Sequence, residues 1–85
     1  MNDLIENIDK LHTTELGVKR IKRNLQFETE DVVLWCKARI LDKDTVIERT
    51  GKNWYATAGN CRITINAYSY TIITAHKRKS PQTVS

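Results

Sequence analysis

An arginine, a histidine and two threonines in the last third of this 85-residue chain are the side chains best suited to chemistry. Arg62, Thr64, Thr74 and His76 alternate with apolar residues in a region that predicts neighbouring strands. Histidine can act as an acid or a base near neutral pH, and arginine can stabilise developing negative charge. Such groups suit metal-independent cleavage of RNA, in which a base activates the 2′-hydroxyl, a cation stabilises the phosphorane-like state and an acid protonates the leaving oxygen.

Three further groups could complete such a site. His12 and Arg20 belong to the predicted helical half of the chain, and Lys52 belongs to a predicted turn. The histidines and Arg62 also have structural interpretations. His12 could cap a helix or lie in solvent, and His76 could simply be solvated at a strand end. Arg62 could pair across a hairpin with a facing threonine or glutamate, a contact worth under about 1 kcal/mol when exposed.

Basic residues form two clusters, and their distribution says more than the net charge of +4. One cluster lies on a predicted helix and the other closes the predicted domain. Such clusters release counterions from nucleic-acid phosphates, which favours RNA as a partner. A solvated helix surface with a basic tail is the alternative interpretation. The candidate nucleic-acid-binding residues are Lys19, Arg20, Lys22, Arg23, Lys52, Lys77, Arg78 and Lys79.

Several kinds of functional site are not indicated. The sequence has no glycine-rich phosphate loop, Ser/His/Asp pattern or acidic metal-binding cluster, and Cys36 and Cys61 are too far apart for a zinc motif. We therefore predict no metal and no cofactor, and interpret both cysteines as buried core residues without a disulfide. No apolar run approaches the ~20 residues of a membrane span, and the N-terminus is acidic where a signal peptide is basic. These features favour a cytosolic protein.

The segment from Gly51 to His76 has the strongest pattern and predicts a β-meander. Gly59 and Asn60 suit a two-residue turn that needs positive φ, and this turn determines the register. One side of the hairpin is then apolar and must be covered, whereas the other is polar and can meet a ligand. The predicted pairs are Ala58–Cys61, Ala56–Ile63 and Trp54–Ile65 on the apolar side, and Thr57–Arg62, Tyr55–Thr64 and Asn53–Asn66 on the polar side.

The outer strands of the meander are less strongly determined. Residues 45–49 predict a first strand, with Ile47 facing one way and Val46 and Glu48 the other. The parity of the last strand depends on the loop around Tyr68. A loop of two or four residues places Tyr70, Ile72 and Thr74 on the core side. A loop of three residues buries Ile73 and Ala75 and places Thr74 and His76 beside Arg62.

Three helices are predicted before the sheet. The first covers residues 3–11, the second follows a cap at Thr13 or Thr14, and the third runs from a cap at Thr29 to about Leu41. Trp35 is expected to rest on the edge of a neighbouring helix.

The second helix carries the first basic cluster. Its predicted buried stripe consists of Leu16, Ile21 and Leu25. Gly17 either allows close packing or marks a break. Lys19, Lys22 and Arg23 share one side of this helix, and Arg20 is expected nearer the edge of the core.

The segments HTTELGVKRIKRNL and GKNWY…RITINAYSYTIITAHK resemble short bacterial proteins grouped as domain of unknown function 3781, from Leu11 to His76. This resemblance implies a small cytosolic protein of unassigned activity. The layout is also similar to the barnase/colicin/RelE-like ribonuclease toxins, whose helices precede an antiparallel sheet. That resemblance implies catalytic roles for Arg62 and residues 74–76, with Arg20 or His12 opposite.

We predict one α+β domain over residues 1–79, with about three N-terminal helices on one face of a four-stranded antiparallel meander, and a disordered tail over residues 80–85. The leading functional hypothesis is an RNA-interacting protein that could be a toxin-like endoribonuclease. The competing hypothesis is a non-enzymatic module that binds an acidic protein partner or inhibits another protein. A homodimer is also considered, if Ile73 or Trp35 forms an exposed patch.

Overall fold

A computed structural model describes residues 3–25, 31–59 and 61–77. Three helices precede a four-stranded antiparallel sheet, which confirms the predicted α+β fold. The first predicted helix is split, because a 3₁₀ helix at Ile8–Lys10 follows α1. The helices are α1 (Asp3–Glu6), α2 (Glu15–Leu25) and α3 (Val32–Leu41), and the strands are β1 (Val46–Thr50), β2 (Asn53–Ala58), β3 (Cys61–Asn66) and β4 (Ile72–Lys77).

The sheet has the strand order β1-β2-β3-β4, so each strand pairs with its neighbour in sequence. All six predicted pairs between β2 and β3 are confirmed, from Asn53 opposite Asn66 to Ala58 opposite Cys61. Gly59 has a φ of +63°, as the predicted tight turn requires. Strand β1 is shifted by one residue from its predicted bounds, but Ile47 faces away from Val46 and Glu48 as expected. Its pairing with Ala56 places it on the core side.

A β-bulge in β4 resolves the two alternatives for the last strand. Thr64 pairs with Thr74 and Ile65 pairs with Ile72, so Ile73 is the extra residue without a partner on β3. The extra residue reverses the parity of the strand, and Ile72 and Ala75 both face the core. Each predicted alternative was therefore wrong for one half of β4.

The beginning of the outer edge of β4 is covered by the segment that leads into α2. His12 N donates to Tyr70 O and Ile72 N donates to His12 O, which forms one parallel bridge. The Thr13 hydroxyl donates to Ile72 O at 2.8 Å. This segment satisfies backbone groups that an open edge would leave unpaired.

The core lies between the sheet and two helices, with α2 packed against β4 and α3 against β2. Alanines occur on the two strands beneath the helices, Ala56 on β2 and Ala75 on β4, and both are fully buried. Ile63 and Ile65 lie on β3 between them and are also fully buried. Small residues let the helices approach the sheet, and the isoleucines fill the space between the helices.

Helices α2 and α3 begin at hydrogen-bonding side chains. The Thr14 hydroxyl accepts from Gly17 N at 3.0 Å, which confirms one of the two predicted caps. The cap of α3 is Asp31, whose carboxylate accepts from Leu34 N at 2.9 Å. The prediction that this helix starts at Thr29 was therefore wrong, and Thr29 itself lies outside the described residues. Asp31 prevails because its side chain reaches the first-turn N–H groups of a helix that begins at Val32.

The orientation of α2 differs from the predicted one. Leu16 is 68% exposed, and Gly17 is buried in its place beside Ile21 and Leu25. Close packing is thus the correct alternative for Gly17. The rotation also leaves Arg20 exposed and Lys22 half-buried, contrary to the expectation that Arg20 lies nearer the core. The contact of the helix with β4 determines this orientation, and the apolar pattern of α2 alone does not reveal it.

We expect the effect of Gly17→Ala on stability to depend on Thr13. A Cβ at position 17 would overlap with the Thr13 hydroxyl, which would have to leave its bond to Ile72 O. The lost hydrogen bond costs about 1 kcal/mol, which offsets the 0.5–1 kcal/mol or so that alanine contributes in a helix. With Thr13→Ala already present, Gly17→Ala should raise the free energy of unfolding by that helical contribution. Urea denaturation of the four variants tests this, and an equal effect in both backgrounds would contradict it.

No helix within the described ranges has the length and apolar character needed to cross a membrane. The predicted tail over residues 80–85 lies outside the residues that the structure describes, as do Arg78 and Lys79.

Candidate functional site

The side of the sheet opposite the core carries mostly polar side chains in three cross-strand rows, which we call the polar face. Arg62 and His76 lie directly opposite each other, and Thr64 and Thr74 form the next pair along the same two strands. Directly opposite side chains have Cβ atoms about 5 Å apart, and rows on one face are about 7 Å apart. The rows are Val46, Thr57, Arg62 and His76; then Glu48, Tyr55, Thr64 and Thr74; then Thr50, Asn53 and Asn66.

Arg62 is held in place by an aromatic ring. Its guanidinium carbon lies 4.6 Å from the centre of the Tyr55 ring, close enough for a cation–π interaction. Asn53 Nδ2 donates to the Tyr55 hydroxyl at 3.3 Å, which fixes the ring from its other end. Within the described part of the chain, Arg62 Nε is buried and forms no hydrogen bond. The guanidinium is therefore oriented by stacking, and its position does not depend on an anionic partner at Nε.

A shallow depression of about 310 Å³ lies next to this arginine. Val46, Glu48, Thr57 and Arg62 line it. The depression belongs to the half of the polar face that also carries His76, because Arg62 pairs with both Thr57 and His76. A phosphate group could contact the guanidinium here, whereas Glu48 would disfavour further negative charge on the β1 side.

Helix α2 reaches the polar face at the edge of β4. Asn24 Nδ2 donates to the Thr74 hydroxyl oxygen at 3.1 Å. Arg20 lies one helical turn before Asn24 on the same side of α2, and both residues are exposed. The predicted basic helix and the predicted catalytic strand are thus adjacent, with Arg20 on the side of the helix that faces Thr74.

His12 lies at the opposite end of β4 from His76. Its Nδ1 donates to Lys10 O at 2.9 Å, and its Nε2 lies 3.0 Å from the Thr71 hydroxyl. Thr71 precedes His76 by five residues, which corresponds to about 16 Å along a strand. His12 therefore forms a separate polar cluster, in which the Thr71 and Ser69 hydroxyls lie 2.7 Å apart and the Ser69 hydroxyl donates to Asn66 Oδ1.

The predicted nucleic-acid-binding lysines are divided between the two ends of the sheet. Lys77 is exposed at the end of β4, one residue beyond His76. Lys52 is exposed in the turn between β1 and β2, at the end where His12 lies, and its backbone oxygen accepts from Ala67 N. Lys77 is therefore adjacent to His76 in sequence, and the basic helix α2 contacts the next row of the polar face through Asn24.

Two residues make contacts at the site that were not predicted from sequence. Asn24 lies between Arg23 and Leu25 with no motif to mark it, and only its contact with Thr74 identifies it. Tyr55 was expected opposite Thr64, and this pair is confirmed, but its stacking with Arg62 runs diagonally between rows. The predicted register could have indicated this contact, because it makes Tyr55 and Arg62 diagonal neighbours, and long side chains on a sheet can reach a diagonal neighbour.

A second concave feature lies on the helical side of the sheet. Trp35 and Arg39 of α3 line a cleft of about 360 Å³ together with the end of the β2–β3 hairpin. The guanidinium carbon of Arg39 lies 5.8 Å from the centre of the Trp35 ring. Trp35 thus lines a cleft beside the hairpin, and its expected contact with the edge of a neighbouring helix stays a prediction. No predicted site residue among those that the structure describes lines this cleft.

Neither cysteine is in a disulfide, and both lie at the core as expected. Cys36 is fully buried and Cys61 is half-buried. Burial, together with a smaller contribution from the nearby Cys61, raises the pKa of the Cys36 thiol to about 12. Cys36 therefore stays protonated in the folded protein. Among residues 3–25, 31–59 and 61–77, no three His, Cys, Asp or Glu side chains are grouped so that they could hold a metal ion.

Comparison with known proteins identifies a family. The family model described as protein of unknown function (DUF3781) matches residues 5–76, a span that includes α2, α3, the first three strands and nearly all of β4. No curated protein and no solved structure matches the chain. The similarity to ribonuclease toxins therefore stays a prediction. Because the matched span covers most of the 85 residues, the chain belongs to the DUF3781 family of proteins of unknown function.

Proposed function

We propose that this protein binds single-stranded RNA on the polar face and cleaves it without a metal ion. The observation that carries the proposal is the direct pairing of Arg62 with His76 across β3 and β4, with Arg62 stacked on Tyr55. An arginine and a histidine able to transfer a proton thus occupy directly opposite strand positions, on a face that also presents hydroxyl groups. Exposed basic residues of α2 supply further phosphate contacts along the edge of β4. Such a protein would act in the cytosol.

The proposed reaction needs one proton acceptor and one cation from the protein. The neutral ring of His76 accepts the proton of a ribose 2′-hydroxyl, the 2′-oxygen forms a bond to the adjacent phosphorus, and the bond from phosphorus to the 5′-oxygen breaks. A water molecule donates a proton to the departing 5′-oxygen. Arg62 donates hydrogen bonds to the non-bridging oxygens while their negative charge increases. The products are a 2′,3′-cyclic phosphate and a 5′-hydroxyl.

Cleavage of a mixed-sequence single-stranded RNA in EDTA tests this function. We expect the parent protein to cut RNA and to bind, but not cut, DNA of the same sequence, since DNA lacks the 2′-hydroxyl. His76→Ala and Arg62→Ala should each lower the rate about 100-fold, because one loses the proton acceptor and the other the cation. Arg62→Lys should fall between parent and Arg62→Ala, since it keeps the charge without the planar group. Lys43→Ala, a change at an exposed lysine in the α3–β1 turn, is the matched control.

The competing hypothesis of a protein-binding module has a distinct result. If RNA is neither cut nor bound at low salt, the proposed function fails and an acidic protein partner becomes the better hypothesis. If RNA is bound, Lys19→Ala and Arg23→Ala should each reduce the dependence of affinity on salt concentration, because each removes one released counterion. An RNA affinity that changes neither with salt concentration nor with these substitutions would contradict phosphate recognition by α2. A homodimer stays a prediction, and Ile73 and Trp35, the residues expected to form its patch, are both half-buried.

A further inference from the structure

The contact between Asn24 and Thr74 is the feature of the site that the proposed function leaves unexplained. The two residues are far apart in sequence, and their side chains meet at 3.1 Å where α2 crosses onto the edge of β4. Thr74 belongs to the polar face, directly opposite Thr64 and in the row next to Arg62 and His76. The hydrogen bond therefore joins the basic helix to the row of hydroxyls beside the proposed catalytic pair.

The direction of this hydrogen bond determines what the Thr74 hydroxyl can offer to a ligand. A hydroxyl has one proton to donate and lone pairs that accept. Asn24 Nδ2 is the donor, so it occupies a lone pair of Thr74 Oγ1 and leaves the Thr74 proton available. An oxygen that accepts one hydrogen bond is also a better donor through its own proton, because hydrogen bonds in a chain polarise one another. Thr74 is thereby prepared to donate to an acceptor such as a phosphate oxygen.

The spacing of the polar face suits an acceptor of this size. Thr74 and His76 are two residues apart on one face of β4, which corresponds to about 7 Å, and Arg62 is the diagonal neighbour of Thr74 on β3. A phosphodiester group located between these three side chains could accept from both Thr74 and Arg62 while its ribose faces His76. We infer that Asn24 is a positioning residue that makes Thr74 a hydrogen-bond donor to the phosphate of bound RNA; this inference rests on the proposed function.

A double-mutant cycle of Asn24→Ala and Thr74→Val tests the inference in the full-length protein. The probe is mixed-sequence single-stranded RNA, with a 2′-O-methyl RNA of the same sequence as a ligand that cannot be cut. We expect Thr74→Val to lower kcat about 30-fold and Asn24→Ala about 10-fold, somewhat less than the loss of one oxyanion donor in other enzymes. Asn24→Ala should have no further effect when Thr74→Val is present, because it acts only through the hydroxyl. Thr74→Ser, which keeps the hydroxyl, should retain most of the activity.

Asn24→Asp supplies a second, opposite constraint. A carboxylate at position 24 can only accept hydrogen bonds, so the Thr74 hydroxyl would donate to it. The phosphate would then face only the lone pairs of Thr74 Oγ1. We therefore expect a larger loss of activity than for Asn24→Ala. In the Thr74→Val background the loss should be smaller, because only the repulsion between the new carboxylate and the phosphate remains. Asn7→Ala is the matched control, because Asn7 Nδ2 also donates a hydrogen bond, to Asp3 O, but at the N-terminal end of the chain. Its activity should equal that of the parent.

Failure of the inference and failure of the proposed function give different results. If the parent neither cuts RNA nor binds the 2′-O-methyl RNA, both are overturned. If the parent cuts RNA and Asn24→Ala has no effect, or the same effect with and without Thr74→Val, the inference alone is overturned. If the parent binds RNA without cutting it, the double-mutant cycle is measured as Kd. The inference is overturned if the losses of affinity from Asn24→Ala and Thr74→Val add in the double variant. It is supported if the effect of Asn24→Ala disappears when Thr74→Val is present.

Discussion

Replacement of Ile63 by alanine should lower the free energy of unfolding by about 3–4 kcal/mol, which is a large part of the total for a domain of this size. Ile63 is fully buried and pairs with Ala56 on one side and Ala75 on the other. Both neighbours are small, so neither can expand into the space that the isoleucine leaves. Helices α2 and α3 are anchored on β4 and β2, which limits how far they can close the cavity. The site therefore relaxes little, and the cost lies toward the upper part of the usual range.

Two controls distinguish cavity formation from a general loss of β-propensity. Ile63→Val removes one methyl group and should cost only about 1 kcal/mol. Val46→Ala, on the edge strand β1, changes a residue that is 58% exposed and should cost less than about 0.5 kcal/mol. Urea denaturation measures all three variants. If Ile63→Ala and Val46→Ala have similar effects, Ile63 does not fill the space between the helices.

Alkaline pH should destabilise the protein through Cys36, and Cys36→Ala should remove that contribution. Burial, and secondarily the proximity of Cys61, raises the Cys36 pKa from 9.0 to about 12 in the folded protein. In the unfolded chain the thiol loses its proton near its ordinary pKa, whereas the folded protein keeps it. Unfolding thus releases a proton between pH 9 and about 12, and stability falls by about 1.4 kcal/mol per pH unit in that window. The accumulated loss is about 4 kcal/mol.

The quantity to compare for Cys36 is the change in the free energy of unfolding per pH unit, which does not depend on the absolute stability of the variant. Cys36→Ala leaves a small cavity that lowers stability by a similar amount at every pH, and all other titratable groups are the same in both proteins. Chemical denaturation at several pH values above 9 should therefore show a steeper decline for the parent than for Cys36→Ala. Equal slopes would mean that Cys36 ionises in the folded protein as readily as in the unfolded chain. Below pH 9 the thiol is protonated in both states and the two proteins should respond to pH alike.

The central hairpin shows what local pattern can predict. Alternation with a period of two, together with a glycine that tolerates positive φ at position 59, was sufficient to predict all six pairs between β2 and β3. That register placed Arg62 on the polar side opposite Thr57. Local pattern also predicted the bounds of α3 with an error of less than one helical turn. It favoured a cap at Thr29, whereas the observed cap is Asp31.

The candidate site shows what local pattern cannot predict, namely which of the candidate residues come together in the fold. His12, Arg62, Thr74 and His76 were all identified by residue type, but whether they meet depends on contacts between distant parts of the chain. The bulge at Ile73 places Thr74 and His76 beside β3 on the polar side, while the bridge between His12 and Thr71 holds His12 at the other end of β4. Two adjacent isoleucines satisfy either parity, so the alternation in sequence could not distinguish a continuous strand from a bulged one.

By itself, the amino-acid sequence determined the fold class, the register of the central hairpin and the polar character of one sheet face, because backbone geometry links each of these to neighbouring residues. The tertiary structure decided the rotation of α2, the burial of Gly17 in place of Leu16 and the meeting of Asn24 with Thr74. These features depend on how closely a helix approaches the edge of β4. That distance is determined by the packing of Gly17 and Thr13 against Ile72, residues more than fifty positions apart in the chain, and no local pattern records it.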